Sequence, residues 1–379
     1  LVRSSIVSKS SVKILGVIFM FDIFLIFSIA TISAEQFQYI LDEVGSIDDI
    51  QLLTQASIRE LKSVSQKKKS DIESAFEKYE DFVKELQVQE IEYITIAMQN
   101  YPTALKELYD FPYILYFKGN LSLLQQFSIG IIGSRKPDAY GVFCADFFGK
   151  ILAEKGIITV SGMAHGIDGI SQKSTVNYGG KTIAVLGSSL NEKSIYPKTN
   201  LSLYHRILDN GGLILSEYHH RESTLPYKFV ARNRIISAIC SGLIVVEANF
   251  KSGTMTTVEF ALELGKTIFS VPGNINSSNS NGTNQLIKNG AKIVTCFEDI
   301  LEEFPNITPL CSALSKSSNL SEAEQNILSL LEKKSPIYID EIAYTLQLQI
   351  KEVSSILSIL EIKGFVLEMG NNLYSLTSI

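Results

Sequence analysis

Five short apolar segments, each followed at once by a small or polar turn, dominate the middle of the chain. They are Phe127–Gly133, Ile157–Ser161, Thr182–Leu186, Leu213–Ser216 and Leu243–Val246. A strand that is apolar along its whole length is buried on both faces, as in a parallel sheet covered by helices. The intervening segments have helical spacing, as in Ala139–Ala153 and Leu201–Leu208. The sequence therefore predicts an α/β fold with a doubly wound, mostly parallel sheet.

The polar residues near the ends of these strands indicate a site for phosphate. In an open parallel sheet, ligands bind where the carboxyl ends of strands meet the N-termini of helices. Gly133, Ser134 and Arg135 follow the first strand, Arg232, Asn233 and Arg234 precede the fifth, and Ser252, Gly253 and Thr254 open the next helix. Glycine lets a ligand approach the backbone, and the two-pronged guanidinium matches phosphate geometry. The site is predicted to hold a phosphate-bearing polymer or a nucleotide.

A purely structural explanation is available for the same residues. Glycines after strands often serve only as turn formers, and the three arginines could be ion-pair partners of Glu217 or Glu247. Lys198 would by default be solvated. Asp168 is expected to be structural, because a carboxylate at a helix start accepts hydrogen bonds from backbone amides. Cations supplied by three loops at neighbouring strand ends favour the binding site over this explanation.

The distribution of charge also favours a confined site. The chain of 379 residues has a net charge of −6, yet residues 128–300 carry 17 Lys and Arg against 13 Asp and Glu. A locally basic core inside an acidic chain suits a phosphate site better than a broad basic surface. The apolar content of 45% is too high for a disordered chain.

Eight short motifs follow one another along this region. They are Gly-Ser-Arg at 133–135, Ser-Gly-Met-Ala-His-Gly-Ile-Asp at 161–168, Ala-Val-Leu-Gly at 184–187, Tyr-Pro-Lys-Thr-Asn at 196–200, Arg-Asn-Arg-Ile-Ile at 232–236, Val-Val-Glu-Ala at 245–248, Ser-Gly-Thr at 252–254 and Val-Pro-Gly-Asn at 271–274. Their order and spacing over roughly residues 100–300 resemble the bacterial DNA-processing protein A family (DprA, also called Smf). The resemblance implies an extended Rossmann-like core that binds single-stranded DNA, forms a homodimer and, in the cytoplasm, loads RecA recombinase during natural transformation.

The resemblance also extends the predicted site to two further loops. The complete predicted DNA-binding set is Gly133, Ser134, Arg135, Gly162, His165, Gly166, Lys198, Asn200, Arg232, Asn233, Arg234, Ser252, Gly253 and Thr254. The three arginines and Lys198 are expected to hold phosphates. Thr199 stands where the family usually has Glu, a departure that concerns the contact made by that loop. Tyr196 and Tyr218 are the aromatic residues in these loops, so little base stacking is predicted.

Catalysis, a cofactor and a metal site are not predicted. Gly180–Thr182 ends like a P-loop but precedes a strand, whereas a P-loop follows one. The four cysteines are far apart, and Cys144 and Cys240 are expected in the core. The alternative function is an enzyme of the same fold. Ser252–Thr254 followed by Glu259 resembles the motif of phosphoribohydrolases, which cleave the glycosidic bond of nucleotides.

The N-terminal segment, residues 1–34, admits two explanations. Residues 14–32 are almost wholly apolar, and Arg3, Lys9 and Lys13 precede them, as in a signal peptide or a membrane anchor. Asp22, however, would cost about 2.5–3.5 kcal/mol near the centre of a bilayer. A degraded or wrongly started first domain is the equal alternative, and the protein contacts a membrane only if the segment is an anchor.

The remaining boundaries follow from composition and periodicity. Residues 35–110 are predicted to be helical, the Rossmann-like core spans 111–304 and opens with an edge strand, and a serine-rich linker spans 305–320. Residues 321–379 are predicted to form a winged helix from three amphipathic helices, Glu322–Leu331, Ile339–Leu346 and Val353–Lys363, and a hairpin turned at 370–372. The third helix carries as many acidic as basic residues, so this domain is predicted to bind protein rather than DNA.

Overall fold

A nine-stranded sheet forms the centre of the first of two units, which divide between Cys311 and Ser312. The computed structural model describes residues 21–307, 321–362, 365–368, 370 and 372–376. The strands are β1 (Glu92–Thr95), β2 (Ile114–Gly119), β3 (Ser128–Ile132), β4 (Ile158–Ser161), β5 (Thr182–Leu186), β6 (Leu213–Ser216), β7 (Gly242–Val245), β8 (Thr267–Ser270) and β9 (Lys292–Ile293). Their order across the sheet is β1-β2-β6-β5-β4-β3-β7-β8-β9. Strands β3 to β9 pair in parallel, and β2 joins β1 and β6 antiparallel.

Helices cover both faces of this sheet. They are α1 (Ile23–Ile29), α2 (Ala34–Val44), α3 (Ile47–Gln51), α4 (Gln55–Glu60), α5 (Gln66–Val88), α6 (Thr103–Lys106), α7 (Ala139–Glu154), α8 (Ile167–Asn177), α9 (Leu201–Asp209), α10 (Pro226–Ala231), α11 (Asn233–Ile239), α12 (Gly253–Glu263), α13 (Asn281–Lys288) and α14 (Glu298–Glu303). Strand β3 sends Ile129 and Ile131 into one hydrophobic core and Ile132 into another. Because this strand is buried on both faces, the predicted doubly wound arrangement is confirmed.

The five predicted apolar strands are confirmed as β3 to β7, and Cys144 and Cys240 are buried as predicted. Two predictions around β2 are wrong. The region 35–110 is not wholly helical, because β1 lies within it, and β2 is not an edge strand, because it pairs with β1 and β6. A strand of four residues is too short for periodicity to distinguish it from a helical turn.

The apolar N-terminal segment belongs, where it is described, to the core of the first unit. Ile23 to Ser28 of α1 are buried, and the Asp22 carboxylate caps the helix by accepting from the amides of Phe24 and Leu25 at 3.0 and 3.3 Å. A membrane anchor is therefore the wrong explanation for residues 22–30. Residues 1–20 lie outside the described part. Among the helices of the described residues, none is long and apolar enough to cross a membrane.

One buried hydrogen bond fastens α1 to the sheet and gives a test of this placement. The Ser28 and Tyr116 hydroxyls lie 2.7 Å apart. Ser28→Ala should lower the free energy of unfolding by about 1–2 kcal/mol, because it leaves the buried Tyr116 hydroxyl without this partner. Urea unfolding of Ser28→Ala, Tyr116→Phe and the double variant should reveal coupling of about 0.5–1.5 kcal/mol. Strictly additive losses would contradict the contact.

The second unit has the helices and hairpin of a winged helix. Its elements are α15 (Glu322–Lys333), β10 (Ile337–Tyr338), α16 (Ile339–Leu346), α17 (Ile350–Ile362), β11 (Val366–Glu368) and β12 (Leu373–Leu376). The three antiparallel strands are ordered β10-β12-β11. The predicted helices and hairpin are confirmed, and β10 was not predicted. Residues 308–320, which hold most of the predicted linker, lie outside the described residues. Protein binding by this unit stays a prediction.

Candidate nucleic-acid interface

A cleft of about 450 Å³ opens where β3 and β7 end. From β3 the chain proceeds to β4, β5 and β6 on one side, whereas β7, β8 and β9 lie on the other. Loops therefore diverge at the ends of β3 and β7 and leave a crevice, which is the usual ligand position in open α/β sheets. The cleft is lined by Ile132, Gly133, Ser134, Arg135, Ala164, Asp168, Pro226, Phe229, Val230, Arg232, Asn233, Ile236, Asn249, Ser252, Gly253, Thr254, Thr257 and Asn279.

Eight of the fourteen predicted site residues meet in this cleft. They are Gly133, Ser134, Arg135, Arg232, Asn233, Ser252, Gly253 and Thr254. The other six, Gly162, His165, Gly166, Lys198, Asn200 and Arg234, do not line it.

Arg135 stands at the rim of the cleft on a well-supported loop. The Ser134 carbonyl accepts from the Ile167 amide at 3.1 Å, and the Ser134 hydroxyl accepts from the Lys136 amide at 3.1 Å. Gly166 has φ +76°, and a Cβ there would lie 2.2 Å from the Ser134 carbonyl oxygen, so only glycine fits. The exposed Arg135 side chain has no hydrogen bond or ion pair with any residue that the structure describes.

Arg232 forms part of the floor of the cleft and is buried. Its Nη1 donates to the Gly162 carbonyl at 2.7 Å and also to the Val185 carbonyl. Burial lowers the pKa of Arg232 to about 10, the Asp168 carboxylate opposes this shift, and the positive charge of Arg135 adds to it. Two guanidiniums thus repel each other across the cleft. An anion held near both would relieve this repulsion.

The N-terminus of α12 completes the cleft with unpaired donors. The amides of Gly253 and Thr254 donate to no described residue, and the buried Ser252 hydroxyl likewise has no partner there. Thr254 Oγ1 donates to the Gly133 carbonyl at 3.1 Å and so ties this helix to the Arg135 loop. A Cβ at Gly253 would meet nothing within 4 Å, so the backbone is open to a ligand. Helix N-termini of this kind attract anions.

Arg234 does not belong to the cleft, and the prediction that it holds a phosphate is wrong. Its side chain is 3% exposed, donates to both Glu217 carboxylate oxygens at 2.7 and 2.9 Å, and donates to Asp110 at 2.8 Å. Burial alone would lower the pKa of Arg234, but the two carboxylates raise it above its usual value. Side chains two positions apart on a helical turn point in nearly opposite directions. Arg232 therefore faces the cleft while Arg234 faces the interior.

The remaining predicted residues support the neighbouring loops. Lys198 Nζ donates to the carbonyls of Glu192 and Lys193 at 3.1 and 2.5 Å, and Asn200 Nδ2 donates to those of Met163 and Ala164 at 3.0 and 3.1 Å. The exposed His165 ring packs edge-on against Tyr196, with 6.0 Å between ring centroids. A Cβ at Gly162 would overlap the Arg232 guanidinium. Contacts of these residues with DNA stay predictions.

Residues 92–305 match the family described as DNA recombination-mediator protein A, and residues 313–372 match the DprA winged helix domain. The chain belongs to the DNA recombination-mediator protein A family. The resemblance to DprA and Smf proteins is thereby confirmed, together with the Rossmann-like core and the winged helix.

Relatives of this chain have been characterised by sequence and by structure. DNA processing protein DprA of Streptococcus pneumoniae is 42% identical over 206 residues, which cover 54% of this chain and 71% of that protein. The X-ray structure of the S. pneumoniae protein superimposes with a TM-score of 0.65 at 33% identity, covering 75% of this chain and 98% of that one. DNA processing protein A of Helicobacter pylori, described for its single-stranded DNA binding mode, gives a TM-score of 0.51 at 33% identity, with coverages of 56% and 96%.

In this member of the family, one wall of the cleft is apolar, and the sequence analysis did not predict it. Pro226, Phe229 and Val230 of α10 line the side formed by that helix. Lys228 of this helix is buried, and its Nζ forms an ion pair with Glu222 Oε2 at 2.7 Å. This contact fixes the orientation of the helix. Apolar residues at helical spacing normally indicate the face of a helix that packs against the core. Periodicity therefore cannot distinguish such a face from one that lines a cleft.

Proposed function

We propose that the cleft binds the phosphate backbone of single-stranded DNA without sequence preference, and that the protein protects incoming strands and loads RecA in the cytoplasm. The observation that carries this proposal is the pair of guanidiniums, Arg135 unpaired at the rim and Arg232 at the floor, beside the open N-terminus of α12. Guanidinium groups and helix-terminal amides together recognise phosphate. The single-stranded DNA binding described for the H. pylori relative supports the same ligand.

The shape of the cleft favours a single strand over a duplex. Arg135 and the free amides of α12 lie in the loops after β3 and β7, and Arg232 lies at the floor of the cleft. Phe229 and Val230 offer apolar surface from α10. A single strand can place its phosphates against the cations and an unstacked base against the apolar wall. In a duplex the bases are paired inside and cannot reach that wall. We therefore propose that Phe229 adds an apolar contact for a base to the little stacking predicted for Tyr196 and Tyr218.

The salt dependence of DNA affinity should report how many phosphates the cleft neutralises. If the cleft neutralises two or three phosphates, the logarithm of the affinity should fall against the logarithm of salt concentration with a slope of about −1.4 to −2. The measurement is fluorescence anisotropy of a labelled mixed-sequence strand between about 50 and 200 mM salt. A duplex of the same sequence is the control and should bind more weakly. Affinity that does not change with salt would contradict a phosphate site.

A homodimer through the Rossmann-like core is part of the same proposal. The core exposes large apolar side chains outside the cleft, among them Phe143, Leu262 and Ile275, which are 64%, 57% and 94% exposed. Contact with a second copy of the chain would remove such side chains from water, which favours association. Light scattering of the full chain, and of variants with Glu at each position, should show a dimer that one of these substitutions dissociates. RecA loading is tested by RecA filament formation on strands coated with a single-strand-binding protein.

The alternative of a nucleotide-cleaving enzyme lacks geometric support. It requires Glu259 beside the nucleotide, but Glu259 is exposed on α12 and does not line the cleft. Release of base from a nucleotide that Glu259→Gln abolishes would replace the proposed function with this one.

A further inference from the structure

Two carboxyl groups, the exposed Asp138 and the buried Glu247, meet at Gly141 in the first turn of α7, which follows the loop that carries Arg135. Glu247 follows β7 and is 1% exposed, and its carboxyl group lies under the first turn of α7, where a Cβ at Gly141 would be 2.3 Å from Glu247 Cδ. Asp138 caps α7, and its Oδ1 accepts from the Tyr140 and Gly141 amides at 2.8 and 3.0 Å. Within the described residues, neither carboxyl group has a salt bridge to Lys or Arg.

One oxygen of Glu247 lacks the hydrogen bond that its burial demands. Glu247 Oε2 accepts from Asn279 Nδ2 at 3.3 Å, but the buried Oε1 has no donor among the described residues. The neighbouring polar group is the Asp138 carboxylate, which is itself an acceptor. A hydrogen bond between the two groups therefore requires a proton on one of them.

The proton belongs on Glu247. Burial, followed by the hydrogen bond and charge of Asp138, raises the pKa of Glu247 from 4.5 to about 7. The pKa of Asp138 is lowered, first by the hydrogen bond from the Gly141 amide and then by the hydrogen bond with Glu247. Among the described residues, the other groups that face the pair are the Cys144 thiol and the Tyr140 phenol of α7, which are neutral at this pH because their pKa values are raised, and the neutral side chains of Ser277 and Asn279.

The pair is connected to the cleft through Asn279. This residue lines the cleft, and its Nδ2 donates to both Glu247 Oε2 and the Lys136 carbonyl, the latter at 3.2 Å. Its own carbonyl accepts from the Ala248 amide at 2.8 Å. The loop that carries Arg135, the end of β7 and the loop after β8 are thus held by one network that contains the carboxyl pair.

We propose that Asp138 and Glu247 share one proton, and that this proton holds the Arg135 loop in the arrangement that binds DNA. The inference rests on the proposed function. Loss of the proton puts a negative charge on the buried Glu247 beside the exposed Asp138 carboxylate. The two carboxylates then repel each other, and the added charge also disfavours a phosphate in the adjoining cleft. Because Glu247 keeps its proton up to about pH 7, tight binding should be present below this pH and be lost as the pH rises through it.

The test is the pH dependence of single-stranded DNA affinity at constant ionic strength. For the full chain, affinity should fall about fivefold or more across neutral pH, the low end of the coupling between linked sites. Glu247→Gln replaces the protonated acid by a neutral amide that can donate to Asp138, so its affinity should stay high and unchanged above pH 7. Asp146→Asn removes an exposed carboxylate from the same helix and should retain the fall of the unmodified chain.

His165 lies exposed on a loop beside the cleft, so its imidazole is a rival explanation for any dependence of DNA affinity on pH. The comparison is therefore repeated with His165→Gln, in which the fall should persist and still vanish on adding Glu247→Gln. If Glu247→Gln does not fold, Asp138→Asn should move the midpoint of the fall to lower pH. A fall that survives Glu247→Gln, or that disappears with His165→Gln alone, overturns the shared proton.

A second readout separates this inference from the proposed function. The side-chain carboxyl carbon of Glu247, observed by NMR of protein labelled at glutamate, should titrate near pH 7 without DNA. If the protein binds no DNA at any pH, the proposed function fails, and this titration still decides whether the proton is shared. A midpoint near the ordinary value of 4.5 would exclude the shared proton even if DNA binds.

Discussion

Arg135→Ala should weaken single-stranded DNA binding by about 10- to 100-fold while the melting temperature hardly changes. Loss of a charged phosphate contact costs about 1.5–3 kcal/mol, which corresponds to this range. Arg135 is exposed at the end of a buried strand and has no partner among the described residues, so little folding energy depends on it. The expected loss of stability is below about 1 kcal/mol.

The measurement pairs a DNA titration with a thermal melt of the same sample. Arg59→Ala is the matched control, because it removes an exposed arginine that does not line the cleft and whose side chain, among the described residues, pairs with a surface glutamate, Glu73. It should leave DNA affinity within about twofold, as expected for a distant charge at physiological salt. Unchanged affinity in Arg135→Ala would remove this residue from the site, and a collapsed fold would show a structural role instead.

Arg234→Ala should do the reverse and lower the free energy of unfolding by about 3–5 kcal/mol. It removes one partner of a buried ion pair and leaves the Glu217 carboxylate, whose side chain is 15% exposed, without the guanidinium nitrogen that donates to both of its oxygens. Breaking a buried pair costs this much because the remaining charge stays desolvated. Thermal and urea unfolding of the full chain measure the loss. DNA affinity of the molecules that remain folded should stay close to that of the unmodified chain.

A surface ion pair of the same chemistry provides the control. Arg221 donates to Glu85 at 2.7 Å, and both side chains are at least one-third exposed. Arg221→Ala should therefore cost no more than about 1 kcal/mol. If Arg234→Ala proved as mild, the ion pair would not be buried in solution. If it weakened DNA binding as strongly as Arg135→Ala, the original prediction of a phosphate ligand would be reinstated.

Arg135 and Arg234 show which part of a residue's role cannot be predicted from the sequence. Both arginines occur in motifs of the family, so composition and motif order treat them alike. Their roles differ because Arg234 is buried against two carboxylates: Glu217, which the sequence offered as an ion-pair partner, and Asp110, which lies 124 residues before Arg234 in the chain. Such a contact leaves no local periodic signal. The same holds for Asp138 and Glu247, whose meeting depends on how β7 ends against α7.

The sequence by itself determined the parallel strands β3 to β7, the winged helix and the family. Each of them depends on a local pattern: continuous apolar runs, helical spacing and the order of motifs, respectively. Only the tertiary structure decided that the apolar residues 23–29 form a core helix, that α10 supplies a wall of the cleft, and that eight of the fourteen predicted residues meet there. The physical reason is that burial depends on which distant segments pack together. The same apolar or charged residue is core, wall or ligand according to neighbours that lie far away along the chain.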